Sequence, residues 1–535
     1  MKHLVLGNEA LAQGAIDAGL SGVYAYPGTP STEITEYIQR SKTAKSLGIH
    51  STWSVNEKTA MEAALGMSYT GKRAMVVMKH VGLNVASDAF MNMAVSGING
   101  GMVVVVADDP SMHSSQNEQD SRFYGKFAQI PILEPSNQQD AYNMMHYAFD
   151  LSEELQLPIL LRMVTRLSHS RAGVVFKERR TQNGIQLPVD TKRFALIPAF
   201  ARGQYKTLVD KKGLLIDSSE VSKFNKLELK DSNLGIICSG IAHNYVMENI
   251  GEESDYSVLK ISQYPMPKDQ IKALYDHCKM VLIVEEGYPF IEEILHDYFE
   301  ENPKIIGKLS GDLPFTGELT PNIVGKALGL TKDITEELPD IVSSRPPQLC
   351  DGCGHTDIFN AINELIPEIG NKNVFGDIGC YALGALPPLN TINTLIDMGA
   401  SITMAKGAAD AGMENAIAVI GDSTFTHSGM TGLLDAVYEN TPITVIISDN
   451  SAVAMTGAQD SSALGRLKSI CLGIGVDPEH LKMVVPLKKN HNEIVEILRK
   501  EFKYKGVSVI IAQRACVRLS RDKKEEIKQK IASLT

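Results

Sequence analysis

A carboxylate and a carboxamide stand 28 residues apart, each at the end of an apolar run: Asp422 in Gly421-Asp422-Ser423 follows residues 416–420, and Asn450 in Asp449-Asn450 follows residues 443–447. Short continuous apolar runs of this kind read as buried parallel strands, and the intervening stretch at 429–440 reads as a helix. A strand–helix–strand crossover sets the two carboxyl-end loops side by side, where open α/β sheets place ligands. A carboxylate oxygen, an amide oxygen and a backbone carbonyl suit Mg²⁺, which keeps octahedral oxygen ligation and completes its shell with water and phosphate. Small residues at Gly421 and Ser423 let backbone N–H groups approach a diphosphate. The plain alternative is a βα turn that binds nothing.

Glu57, in Trp53-Ser54-Val55-Asn56-Glu57-Lys58, stands before a helix-like stretch, Met61-Glu62-Ala63-Ala64-Leu65-Gly66. A carboxyl group held at such a place can relay protons. Its plain alternative is an exposed helix-start glutamate stabilised by the helix dipole. Seven cysteines form an odd, sparse set, which does not read as a disulfide framework. Only Cys350 and Cys353 make a C-x-x-C pair; Cys238, Cys278 and Cys471 lie in apolar surroundings and are expected in the core. His355 and His427 flank motif loops, where buried or capping roles are commoner than cofactor contact. His113, in Ser111-Met112-His113-Ser114-Ser115-Gln116, is expected in a loop at a subunit contact.

The elements that must position these residues fall into three α/β segments. In the first, residues 22–26, 74–78 and 101–107 are strand-like, and Ser31 or Thr32 is placed to cap a helix at 33–38. Strands separated by helical stretches predict a parallel sheet covered on both faces, over residues 1–190. A polar, basic region at 177–184 reads as a surface linker. A second unit over 191–340 has strands at 234–238 and 280–284, with Glu285-Glu286-Gly287 at a carboxyl end. The Pro-rich Ser343-Ser344-Arg345-Pro346-Pro347 then introduces a third unit, 341–535, with strands at 416–420, 443–447 and 507–511 and a last lysine-rich helix near 521–533.

Lys+Arg total 52 against 63 Asp+Glu, a formal charge of −11, which argues against nonspecific nucleic-acid binding. No run of 18 or more apolar residues is present, so no transmembrane helix is expected. The short apolar start before Asn8-Glu9 does not make a signal-peptide core, and the cytoplasm is the expected location.

Gly-Asp-Ser followed at that distance by Asn resembles the thiamine-diphosphate motif, whose third position is usually Gly rather than the Ser423 found here. With Tyr26-Pro27-Gly28-Thr29-Pro30-Ser31, the segment around Glu57, Met78-Lys79-His80-Val81-Gly82-Leu83-Asn84, Arg345-Pro346-Pro347-Gln348-Leu349-Cys350-Asp351-Gly352-Cys353, Gly376-Asp377-Ile378-Gly379-Cys380-Tyr381, Gly421–Gly429 and Met455-Thr456-Gly457, the chain resembles the alpha subunits of the indolepyruvate ferredoxin oxidoreductase family over nearly its whole length. That resemblance implies three doubly wound α/β domains. Two are of the thiamine-diphosphate-binding type, for pyrimidine and diphosphate, with a transketolase-C-terminal-like domain between them.

The resemblance further implies oxidative decarboxylation of aryl-2-oxo acids to aryl-acyl-CoA on thiamine diphosphate and Mg²⁺, with electrons passed to ferredoxin. Glu57 would activate the cofactor through N1′ of its aminopyrimidine. Asp422, Asn450 and the carbonyl of Ala452 would hold Mg²⁺, while Asp377, Gly379, Gly399, Gly421 and Ser423 would line the cofactor pocket. Thr29 would face the substrate carboxylate, with Lys79 and His80 in the substrate pocket. A smaller β subunit of the 2-oxo-acid:acceptor type, in an α₂β₂ assembly, is the implied partner, with no nucleic acid and no membrane. Family members usually end in a ferredoxin-like domain with two C-x₂-C-x₂-C-x₃-C runs, whereas this chain stops about 20 residues after Cys516 without one. By similarity, Cys350, Cys353, Cys380 and Cys516 would ligate one [4Fe–4S] cluster; structural thiols, or a C-x-x-C binding another metal, are the alternatives. A non-oxidative decarboxylase releasing an aldehyde is the other reading of the enzyme, and a noncatalytic subunit the third. Joint retention of Glu57, Asp422 and Asn450 argues against the third.

Overall fold

Met102–Asp108 is buried at every position, and Ala74–Lys79 at all but its last. A strand buried on both faces needs helices on both sides of its sheet, and that is the architecture of the computed structural model, which describes residues 2–299, 304–330, 341–342, 347–370 and 372–532. The chain divides into two compact units, Met1–Glu337 and Leu338–Thr535.

The first unit holds a seven-stranded sheet and a five-stranded one. In the seven-stranded sheet, Ile132–Leu133, Ile159–Val164, Met102–Asp108, Ala74–Lys79, Gly22–Ala25 and His50–Trp53 lie parallel in that order, so their carboxyl ends share one edge. The five-stranded sheet is built on Asp231–Ser239 between Tyr256–Ile261 and Met280–Val284. The segments 1–190 and 191–340, expected as separate domains, share one continuous apolar core. Two further features join them. Gln263–Tyr264 pairs antiparallel with Ile132–Leu133 and closes the edge of the first sheet. Two fully buried arginines also reach between the sheets: Arg122 Nη1 donates to Glu285 Oε2 at 2.8 Å, and Arg162 Nη2 donates to Glu286 O at 3.0 Å. Arg162 pairs as well with Glu134, whose other oxygen accepts from the Tyr264 hydroxyl at 2.9 Å.

The region read as a linker is largely exposed yet pinned to the first sheet's helices. Arg180 N donates to Asp17 O at 2.8 Å, Asn183 Nδ2 to Glu153 Oε1 at 2.8 Å and Gln186 N to Thr70 O at 2.8 Å. The expected helix after Tyr26-Pro27-Gly28 runs Thr32–Arg40, but Ser31 does not cap it with its side chain; its hydroxyl donates to Gly28 O at 2.7 Å and tightens the preceding loop.

In the second unit Val374–Phe375, Ala416–Gly421, Ile443–Asp449, Ser508–Gln513 and Leu481–Val484 form an all-parallel sheet in that order. Successive residues of a strand feed opposite cores: Ala418, Ile420, Val445 and Ile447 go to one, Ile417, Val419 and Ile446 to the other. The sheet is therefore doubly wound. Residues 343–346 of the Pro-rich stretch lie outside the described residues.

Candidate active site

In the second unit, register decides the neighbours. Gly421 pairs with Ser448, so Asp422 and Asp449 follow side by side at the carboxyl edge. Asp422 is buried, and its Oδ2 has no hydrogen-bond partner. Burial, reinforced by the charge of Asp449, pushes the Asp422 carboxyl up to about 8. A buried carboxylate oxygen left without a partner costs free energy, and a cation is the natural way to satisfy it. Asn450 Oδ1 accepts from Ala452 N at 3.1 Å, which leaves one lone pair of the amide oxygen for an ion. The donor set thus fits Mg²⁺ with a diphosphate. It contains a single carboxylate, consistent with the finding that no group of three or more His, Cys, Asp or Glu side chains among the described residues is set to hold a metal ion.

The loop around this edge is shaped by close packing. A Cβ at Gly421 or at Gly379 would lie 2.5 Å from Tyr381 Cε1, so the ring fills the space between the two loops. The Tyr381 hydroxyl stands 2.7 Å from Ile378 O and 2.9 Å from Thr424 Oγ1. Asp377 is turned inward: it accepts from Gly399 N at 2.9 Å and Ser401 N at 3.1 Å, anchoring the start of the Ala400–Asp410 helix. Gly399 has φ +99°, and a Cβ there would fall 2.6 Å from Ser428 Cβ, so only glycine suits the position. The helix expected from Gly429 begins earlier, with a turn at Asp422–Thr424 and a wide π-type turn at Phe425–Gly429 before the regular Met430–Glu439. Such wide turns recur at functional sites. His427 is buried there, its Nδ1 2.7 Å from Ser428 Oγ.

Cys350, Cys353, Cys380 and Cys516 line one cavity of about 100 Å³, together with His355, Arg514 and Arg518. All four are free thiols. Burial raises those of Cys353 and Cys380, the latter to about 11. Cys516 N donates to Asn450 O at 2.9 Å, which ties the fourth cysteine to the loop of the metal-ligand candidate. Arg518 Nε donates to Cys350 Sγ at 3.2 Å. A cubane cluster takes four thiolates, one on each iron, and four cysteines line this one cavity.

In the first unit the parallel register brings Thr29, Glu57, Lys79 and His80 to one carboxyl edge, from adjacent strands. Asn56 caps the Glu57–Tyr69 helix, accepting from Thr59 N at 2.9 Å, and this fixes where Glu57 starts. Glu57 is only 5% exposed, which rules out an exposed helix-start role. A Cβ at Gly82 would meet Glu57 Cγ and Oε1 at 2.7 Å, so the glycine makes room for the carboxyl group. The Lys79 stem lies against Gly28, and its Nζ donates to Ser114 O at 3.0 Å; the Ser114 hydroxyl donates in turn to Thr29 O at 3.2 Å. Burial lowers the Lys79 ammonium to about 8, although Asp109 and Glu57 oppose that shift. His80 is buried, with Nε2 3.2 Å from Asn117 Oδ1 and no partner on Nδ1.

Residues 13–199 match the family described as pyruvate flavodoxin/ferredoxin oxidoreductase, thiamine diphosphate-binding, and residues 377–512 match the C-terminal TPP-binding domain of thiamine pyrophosphate enzymes. The indolepyruvate oxidoreductase subunit IorA of Archaeoglobus fulgidus is 38% identical, over 98% of this chain and 88% of that protein. The chain belongs to the IorA family. The IorA of Methanothermobacter thermautotrophicus is 39% identical, over 96% of this chain and 87% of that one. A 2-oxoglutarate synthase subunit KorA of Methanocaldococcus jannaschii is 24% identical over 60% of this chain. The 2-oxoglutarate:ferredoxin oxidoreductase of Magnetococcus marinus, solved with 2-oxoglutarate, coenzyme A and succinyl-CoA bound, shares the fold at a TM-score of 0.50 and 19% identity, covering 61% of this chain and 65% of that one. This IorA-family chain is thus a 2-oxo-acid oxidoreductase subunit with two thiamine-diphosphate-binding domains, one in each unit.

Several residues at the two edges of this IorA-family chain carry no signal in the sequence alone. Along the chain Asp449 is merely the neighbour of Asn450, yet counting the register one step past the strand pair puts its carboxylate beside Asp422. Ser114 and Asp109 carried no motif. They sit at the edge because Asp109 Oδ2 accepts from Ser114 N at 2.8 Å and from Ser115 Oγ at 2.6 Å, folding that loop back onto the strands. No helix among the described residues is long and apolar enough to cross a membrane.

Proposed function

We propose that this chain catalyses oxidative decarboxylation of an aryl-2-oxo acid to its aryl-acyl-CoA and passes the electrons to ferredoxin or a similar low-potential acceptor. The observation that carries the reading is the buried, partnerless Oδ2 of Asp422, within a domain matched to thiamine-diphosphate enzymes. Similarity to the named indolepyruvate oxidoreductase subunits supports the aryl substrate. When bound, thiamine diphosphate supplies the electron sink that lets a 2-oxo acid lose its carboxyl group. Asp422, Asn450 and the Ala452 carbonyl hold Mg²⁺ and, through it, the diphosphate; Gly421 and Ser423 leave room for the approach, and Gly379 and Gly399 shape the loops beside them. Asp377 acts through Gly399 as a positioning residue. Glu57 holds a proton at N1′ of the aminopyrimidine. Lys79 offers its ammonium to the substrate carboxylate, with Thr29 facing the same group and His80 donating or accepting beside it.

Cys350, Cys353, Cys380 and Cys516 hold one [4Fe–4S] cluster as the electron exit, supported by their place around one cavity. The partner is a smaller β subunit of the 2-oxo-acid:acceptor type in an α₂β₂ assembly, working in the cytoplasm. The chain, with and without that subunit, is incubated with thiamine diphosphate, Mg²⁺ and indolepyruvate or phenylpyruvate. Reduction of a low-potential acceptor that requires CoA is the expected result; aldehyde release without an acceptor would instead make it a non-oxidative decarboxylase. Glu57→Gln is expected to lower the rate at least about a hundredfold, the scale of a lost general acid–base group. Anaerobically prepared complex without iron would remove the cluster from the reading and leave the decarboxylation intact.

A further inference from the structure

A second cavity lies within the first unit, away from the carboxyl edge that carries Glu57. It encloses about 440 Å³, inside the range of roughly 300–1,000 Å³ typical of small-ligand sites. Tyr264 and Phe290, both buried, form its floor; Leu215, Ile271 and Leu295 line its walls. The Tyr264 hydroxyl is already committed to Glu134 at 2.9 Å, so the floor offers little to ordered water, which needs two or more polar partners to stay in a cavity. The interior therefore suits an apolar body.

The rim is of a different character. Lys126, Lys212 and Lys268 line it and are exposed, and no acidic side chain among the described residues lines the cavity at all. That is a biased selection from a chain with 63 acidic and 52 basic residues. Two of the ammonium groups sit over aromatic rings: Lys126 Nζ stands 5.8 Å from the Phe290 ring centre and Lys268 Nζ 5.6 Å from that of Tyr298. We infer that this cavity binds a small amphipathic carboxylate, with an aryl or short alkyl body seated on Tyr264 and Phe290 and its single negative charge held among the three lysines.

The test uses the full chain and the fluorescent anion anilinonaphthalene sulfonate as reporter, displaced by phenylbutyrate or by phenylbutanol, the uncharged molecule with the same body. Phenylbutyrate is expected to displace the reporter at a lower concentration than the alcohol. Reversing two rim charges together, Lys212→Glu with Lys268→Glu, is expected to weaken the carboxylate about tenfold, the scale of two exposed charge contacts, and to erase its advantage over the alcohol. Ile216→Trp, at a half-buried wall position, should fill the cavity and abolish displacement by both. If that variant fails to fold, the charge-reversal pair at exposed positions carries the test. A carboxylate no better than the alcohol in the unaltered chain, or unaffected by charge reversal, or still displacing the reporter from folded Ile216→Trp, would overturn the assignment. None of these readouts depends on thiamine diphosphate, so the result is independent of the proposed reaction.

Discussion

Glu57 and Lys79 show how much of a residue's chemistry is set by what packs against it. Gly82 makes room for the Glu57 carboxyl group, since a Cβ there would stand 2.7 Å from it. Gly82→Ala is therefore expected to cut kcat by about a hundredfold, the cost of a small misplacement of a reacting group. The thermal midpoint should change little, because Ala favours the His80–Val85 helix more than Gly does. A matching loss of stability and rate would point to simple misfolding. Lys79 carries a pH prediction. Its ammonium is lowered to about 8 by burial, so the cation is present below that pH and lost above it. If Lys79 binds the substrate carboxylate, KM for the 2-oxo acid should rise as pH climbs through about 8. Lys79→Arg, which stays charged, should flatten that rise. The residue types were legible in the sequence; the partner at Gly82 and the shift at Lys79 were not, because both arise from contacts across separate strands.

At the scale of elements, apolar runs predicted the strands well. The expected strand at 280–284 is Met280–Val284, and that at 443–447 extends only to Asp449. Turns were harder. Nothing in Phe425-Thr426-His427-Ser428-Gly429 distinguishes a wide turn from ordinary helix; the tertiary fit shows only in the structure, where a Cβ at Gly429 would fall 2.7 Å from Ile420 Cδ1. The joining of the first two sheets was equally hidden. Arg122 is fully buried and paired with Asp120 and Glu285. Arg122→Met removes the cation but leaves those acids buried, so it should lower stability by about 3–5 kcal/mol. The urea midpoint of the chain is the readout, and an unchanged midpoint would show that the sheets hold together without the ion pairs.

At the scale of the whole molecule, ligand binding and stability are linked. Anything that binds only the folded chain stabilises it, by about 2.7 kcal/mol at a hundred times its Kd. Thiamine diphosphate with Mg²⁺ should raise the thermal midpoint of the chain. Asp422→Asn should act in two opposite ways: it removes a buried carboxyl whose charge is costly, raising the midpoint without ligands above pH 8, and it removes the ligand-induced rise. The sign follows from linkage. A carboxyl raised to about 8 binds its proton more tightly in the folded chain than in the unfolded one, so its contribution is full at acid pH and declines as pH rises to about 8. A ligand-induced rise retained in Asp422→Asn would move the metal away from this residue.

The sequence by itself determined the order of α/β segments, the Asp422 and Asn450 loops at strand ends, and the ordered blocks that place the chain in its family, because each is carried by local composition and spacing along the chain. Only the tertiary structure decided that Asp449 stands beside Asp422, that Cys516 is bonded to the Asn450 loop, that Ser114 links Lys79 to Thr29, and that residues 1–190 and 191–340 share one core. Those are relations between distant segments. They follow from strand register, buried charge pairing and the space left by individual glycines, and these come into being when the sheets pack.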